Sequence, residues 1–119
     1  MNTKKLGDRL RQRRLELHIG LREAASKLKI SPTYLSRIET GKEESPPTEN
    51  LLRAMTELLS EHFDGLMSLA GRIPSDVTAI LLSDSGWFEF LRAARKQNIS
   101  AEGLQEMCCR ERITLGVEK

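Results

Sequence analysis

Apolar residues recur along this chain at i, i+3, i+4 and i+7 in several separate stretches, the spacing of helices that each bury one face. A first helix runs from a cap at or near Thr3 to about Leu17, after frayed residues 1–4, with Leu6, Leu10 and Leu17 on one face. Arg13 interrupts that stripe, and its methylene stem can cover apolar surface while the guanidinium reaches solvent. A second stripe is Leu21, Ala24, Ala25 and Leu28, and a third, shorter one is Leu35 and Ile38. Leu51, Leu52, Met55, Leu58 and Leu59 follow, then Phe63, Leu66, Met67 and Ala70. Val77, Ile80 and Leu81 point inward from a sixth segment. Trp87, Phe90, Leu91 and Ala94 form the strongest stripe, and Leu104, Met107 and Cys108 mark a last helix before a tail from Gly116 to Lys119. The pattern predicts an all-α chain.

The residues between the stripes give the punctuation. His18, Ile19 and Gly20 connect the first two helices, with Gly20 at the N-cap. Ser31 offers a hydroxyl to the free amides of a new helix, and Pro32 sits at the first helical position, where its missing N–H would have gone unpaired anyway. Gly41 is a natural stop. The stretch KEESPPTEN reads as a loop, with Thr48 capping the helix after it. Gly71, the Pro74–Ser75 pair, Ser83 to Gly86 and Ser100 divide the rest.

Residues 19–42, IGLREAASKLKISPTYLSRIETGK, organise the chain. Small Ala25 lets two short helices cross closely, and the second presents a polar, basic outward face, the arrangement that enters a DNA major groove. LREAASKLKIS followed by PTYLSRIETGK, in register with LGDRLRQRRLEL before and PPTENLLRAMTELL after, resembles the phage-repressor-like (Cro, XRE) helix-turn-helix regulators. The likeness covers about residues 6–60. It implies a five-helix, lambda-repressor-like helix-turn-helix unit followed by a C-terminal helical extension. Two positions depart from the family pattern. The usual glycine of the turn is Lys29, which puts a non-glycine at positive φ at a cost on the order of 1 kcal/mol. The usual glutamine at the start of the first of these helices is Leu21, so only its backbone amide remains to meet a phosphate.

Charge adds to this picture once it is divided along the chain. The net value is +2 over 119 residues, but residues 1–42 carry +7, residues 43–71 carry −5, and the remainder is neutral. A basic segment coinciding with the helix pair is what a polyanion-binding surface requires. Hydrophobic content of 39% and charged content of 30% fit a soluble globular chain. No apolar run approaches the roughly 20 residues of a membrane span, and the basic N-terminus lacks the apolar stretch of a secretory signal. A cytoplasmic protein with no membrane association is expected. Cys108 and Cys109 are adjacent, read as reduced, buried thiols. His18 and His62 have no ligand-like company, so no metal, no cofactor and no enzymatic activity is expected.

The resemblance implies base reading from the positions occupied by Pro32, Thr33 and Arg37, with Ser36 secondary. Arg37 has the clearest chemistry, since a guanidinium can donate two parallel hydrogen bonds to guanine O6 and N7. The alternative for Arg37 is pairing with a nearby acid. Arg22, Ser31, Tyr34, Thr40 and Lys42, with the amide of Leu21, are placed for phosphate contacts that position without specifying, and Tyr34 could equally pack at the surface. In the family an arginine matching Arg14 pairs with a glutamate matching Glu39, a structural ion pair carried over here.

Residues 1–60 are thus read as the DNA-binding domain and residues 61–119 as a helical dimerisation or effector region. Four of the five aromatics, Phe63, Trp87, Phe88 and Phe90, lie in the second part. With Leu91 they are expected at a dimer interface, the alternative being intramolecular core. The leading function is a sequence-specific, double-stranded DNA-binding transcriptional regulator, a repressor that binds an inverted repeat as a homodimer. The alternative is an antitoxin-like interaction protein whose C-terminal helices hold a protein partner and whose DNA binding is autoregulatory.

Overall fold

The computed structural model describes residues 3–110, which form eight α-helices and no strand. They are α1 (Thr3–Glu16), α2 (Leu21–Leu28), α3 (Pro32–Glu39), α4 (Glu49–Leu59), α5 (Phe63–Leu69), α6 (Ser75–Ser83), α7 (Gly86–Lys96) and α8 (Ala101–Arg110). The chain divides into two compact units, Met1–Ser75 and Asp76–Lys119. The expected tail from Gly116 lies outside the described residues.

In the first unit each of α1 to α5 contributes to one core. Leu6 and Leu10 of α1 meet Ala24, Ala25 and Leu28 of α2, Leu35 and Ile38 of α3, Leu52, Met55 and Leu59 of α4, and Leu66 and Met67 of α5. Burying one such Leu or Met side chain is worth about 1.5–3 kcal/mol, and this shared core holds five helices of which none exceeds 14 residues. The caps behave as local chemistry requires. Ser31 Oγ accepts from the Tyr34 amide at 3.0 Å and Thr48 Oγ1 from the Leu51 amide at 3.2 Å. His62 Nδ1 caps α5 by accepting from the Gly65 amide at 3.1 Å.

Three placements differ from the sequence expectation. The first compact unit runs to Ser75, past the domain boundary that the sequence pattern places after residue 60. The reason is α5, whose Leu66 and Met67, with Ala70 just after it, are buried against the helix-turn-helix core. Phe63, expected at a dimer interface, packs on that same core, with the Arg53 guanidinium 4.1 Å from its ring centroid. Leu17 is not on the buried face, because α1 ends at Glu16 and His18 turns the chain at φ 58°. Gly7 and Arg14 fill that face instead.

Polar contacts brace the ends of this unit. Arg13 Nε donates to the Leu59 carbonyl at 2.7 Å, at the C-terminus of α4 where a cation is favoured. Arg9 donates twice to Glu61, at 2.9 Å each, and those hydrogen bonds hold the Glu61 carboxyl below its ordinary range. Arg72, just past α5, donates to the carbonyls of Pro47 at 2.6 Å and Pro46 at 3.2 Å.

The second unit is built differently. No residue of α6, α7 or α8 is buried. Val77 and Ile80, expected inward, are exposed, as are Trp87, Phe88, Phe90 and Leu91. Three short helices enclose too little volume to cover their own apolar stripes. Trp87 and Phe90 meet edge to face at 6.2 Å, and α7 and α8 flank a groove of about 190 Å³ lined by residues such as Phe90, Ile99, Leu104 and Met107. Ser100 Oγ caps α8 through the Gly103 amide at 3.0 Å. Cys108 is half-buried and Cys109 exposed, both as free thiols, so the expected burial does not hold for Cys109.

Candidate nucleic-acid interface

The geometry of α3 is fixed from three sides. At its start, Lys29 adopts φ 61°, ψ 40°, the left-handed conformation that a glycine would take without strain, and its amide donates back to the Ser26 carbonyl. The chain then reverses through Ile30, whose amide closes on the Ala25 carbonyl at 3.0 Å, and Ser31 caps α3. On the inner side, Leu35 and Ile38 are buried against α2 and α1. Ala25 is fully buried, with no side chain beyond its methyl to hold the two helices apart.

The third constraint is ionic. Arg14 Nε donates to Glu39 Oε2 at 2.7 Å, and Arg14 Nη2 to Glu39 Oε1 at 2.9 Å, a two-pronged pair with both residues less than 10% exposed. Arg14 Nη1 also donates to the Ile19 carbonyl at 2.9 Å. One guanidinium therefore ties α1, the α1–α2 connection and the end of α3. The hydrogen bonds from Arg14 to Glu39 also raise the guanidinium above its already high ordinary pKa, so Arg14 stays charged. Beside it, α1 comes so close to the end of α3 that a Cβ on Gly7 would lie 2.5 Å from the carbonyl oxygens of both Ile38 and Glu39. Only hydrogen fits there.

With its inner side so held, α3 turns Thr33 and Arg37 fully outward and Pro32 and Ser36 partly so. Arg37 is not idle. Its Nε donates to Glu43 Oε1 at 2.8 Å and its Nη2 to the Lys42 carbonyl at 3.2 Å. Thr40 returns its hydroxyl proton to the Ser36 carbonyl at 2.9 Å, whereas Ser31, as acceptor in its cap, keeps its own proton for an outside acceptor. Tyr34 packs against the core. Arg22 and Lys42 are exposed. Gly20 brings no side chain to cap α2, so the amides at Leu21 have no side-chain acceptor from that position.

An open cleft of about 500 Å³ lies between α1 and the outer side of α3, lined by Lys4, Asp8, Arg11, Arg14, Leu21, Ser36, Glu39 and Thr40. Lys4 and Arg11 were not among the residues singled out from sequence. Their signal was the basic count of the first segment, which had not been assigned to positions facing α3.

A capped, outward-facing second helix locked at a fixed angle to its partner defines a helix-turn-helix DNA-binding protein. Residues 5–60 match the family model described as a helix-turn-helix domain, so this segment is a helix-turn-helix DNA-binding domain, and the chain fits an XRE-like transcriptional regulator. No curated protein matches the chain. Among solved structures it is similar to the clp gene regulator ClgR from Corynebacterium glutamicum, at 24% identity over 80% of this chain and 92% of that one, with a TM-score of 0.50. Another ClgR structure from C. glutamicum is 30% identical over 58% of this chain and 86% of that one, with a TM-score of 0.49. A complex of SinR protein with SinI protein is 23% identical over 90% of this chain and 94% of that one, at 0.48. The first of these likenesses supports the fold.

Proposed function

We propose that this chain is a transcriptional repressor that binds an inverted DNA repeat as a homodimer, in the cytoplasm, with Arg37 as its principal base reader. The observation that carries the reading is the placement of Thr33, Ser36 and Arg37 on the outer side of an α3 whose inner side is locked by Leu35, Ile38 and the Arg14–Glu39 pair. A helix held this way docks as a rigid body, so the same few side chains meet the same base edges at each encounter. Thr33 and Ser36 supply hydroxyls, and Pro32 supplies apolar contact. Arg22, Ser31, Thr40, Lys42 and the first amides of α2 take phosphates on either side, joined by Lys4 and Arg11 from α1. Tyr34 contributes packing.

A single recognition helix of eight residues contacts too few base pairs for useful affinity, and two-fold pairing doubles the contacts. The exposed stripe of Trp87, Phe88, Phe90 and Leu91 supports self-association through the second unit. The same stripe would serve the antitoxin-like alternative, in which a different protein covers it.

Selection of bound sequences from a random double-stranded pool at about 150 mM salt, where purely electrostatic binding is weakened, tests the reading. An inverted repeat with half-sites about one DNA turn apart is the expected result. Recovery of no motif would overturn it in favour of the interaction protein. With a motif in hand, Arg37→Ala is expected to lose discrimination at one base pair of each half-site while keeping its helical content.

A further inference from the structure

We infer that Glu43 is a specificity-determining residue that holds Arg37 in position for base reading. The inference rests on the proposed role of Arg37 and adds a partner to it. Arg37 projects from the last turn of α3, where an arginine on a free stem would sample many rotamers and reach phosphates as readily as bases. Here two of its five N–H donors are engaged, one by Glu43 Oε1 at 2.8 Å and one by the Lys42 carbonyl at 3.2 Å. Three donors remain. A guanine edge needs two, so Arg37 can read the base without leaving Glu43.

The holder is itself held. The Lys42 amide donates to the Arg37 carbonyl at 2.9 Å, closing the turn after α3, and Gly41 makes that turn at φ 75° with Lys4 Cα only 3.3 Å from where a Cβ would sit. Downstream, Arg72 binds the carbonyls of Pro46 and Pro47, and Pro47 is buried. Glu43 therefore sits between two fixed points, and its side chain is about one-quarter exposed against one-half for Arg37. A surface ion pair of this kind adds little to stability. Its effect falls on recognition in two ways. It removes rotamer freedom that binding would otherwise have to remove, and its negative charge beside the guanidinium makes a phosphate a poorer alternative partner than a neutral base edge.

The test compares wild type, Glu43→Gln, Arg37→Ala and the double variant on the selected duplex and on a random duplex of equal length, with thermal unfolding recorded for each. Glu43→Gln is expected to unfold like wild type, to bind random duplex more tightly, and to lose about three- to tenfold in discrimination, confined to the base pair that Arg37→Ala affects. In the Arg37→Ala background it should change discrimination no further. If Glu43→Gln discriminates like wild type while Arg37→Ala does not, the positioning role is wrong and base reading by Arg37 stands. An equal loss with or without Arg37 also overturns it, since Glu43 would then act elsewhere. If Arg37→Ala discriminates like wild type, both ideas fall.

Discussion

The two units of this chain are written in the same amphipathic pattern and end differently. In the first, thirteen apolar residues from five helices are buried in one core. In the second, three helices carry stripes just as regular, and none of their residues is buried. The contrast shows what a stripe predicts and what it omits. Spacing says that a face can be covered, while the number of helices and their crossings decide whether the chain covers it alone.

The largest effect that would break the comparison lies in the first unit. Glu39→Gln leaves the Arg14 guanidinium buried without its counter-charge, and truncation of such a pair costs about 3–5 kcal/mol. Chemical denaturation should show that loss in the midpoint, and a loss under about 1 kcal/mol would mean that α1 and α3 are held by apolar packing alone. In the second unit, Trp87→Ala removes the largest exposed aromatic. It is expected to weaken self-association about tenfold or more, as read by sedimentation at several concentrations, with little change in helical content. An unchanged dimer would sever the stripe from assembly. The smallest effect concerns a turn. Lys29→Gly relieves a non-glycine left-handed residue and should stabilise the first unit by about 0.5–1 kcal/mol in the same denaturation series, against the entropy that glycine adds to the unfolded chain. No gain would mean that the freedom glycine adds to the unfolded chain cancels the relief of strain at position 29.

Much of the first unit was legible because its signals are local. Ser31, Pro32 and Thr48 announce helix starts through their own side chains, and Gly41 announces a stop. Other features depend on contacts distant in sequence. His18, Ser60 and Asn98 all take positive φ, and though His and Asn visit that region more than most side chains, none advertises it as strongly as glycine does. Gly7 looks like a weak point in a helix until the carbonyls of Ile38 and Glu39 are brought against it. The stripe of α5 could not declare which core it would join. At the candidate interface, the outward set on α3 followed from helical periodicity, and the alternative for Arg37, pairing with a nearby acid, is met by Glu43 while three of its donors stay free. Glu43 itself was missed because it belongs to a loop, where periodicity says nothing about direction.

The contact at Gly7 has a consequence for how such a protein changes over generations. Because α1 meets the end of α3 main chain to main chain, part of what sets the angle of α3 is made of groups that every amino acid shares, and no substitution on the outer face of α3 alters them. Positions 32, 33, 36 and 37 can therefore be rewritten one at a time, like type in a fixed frame. On the proposed reading of α3, new binding sites become reachable by single steps that leave the frame intact, whereas one methyl at position 7 would disturb them all.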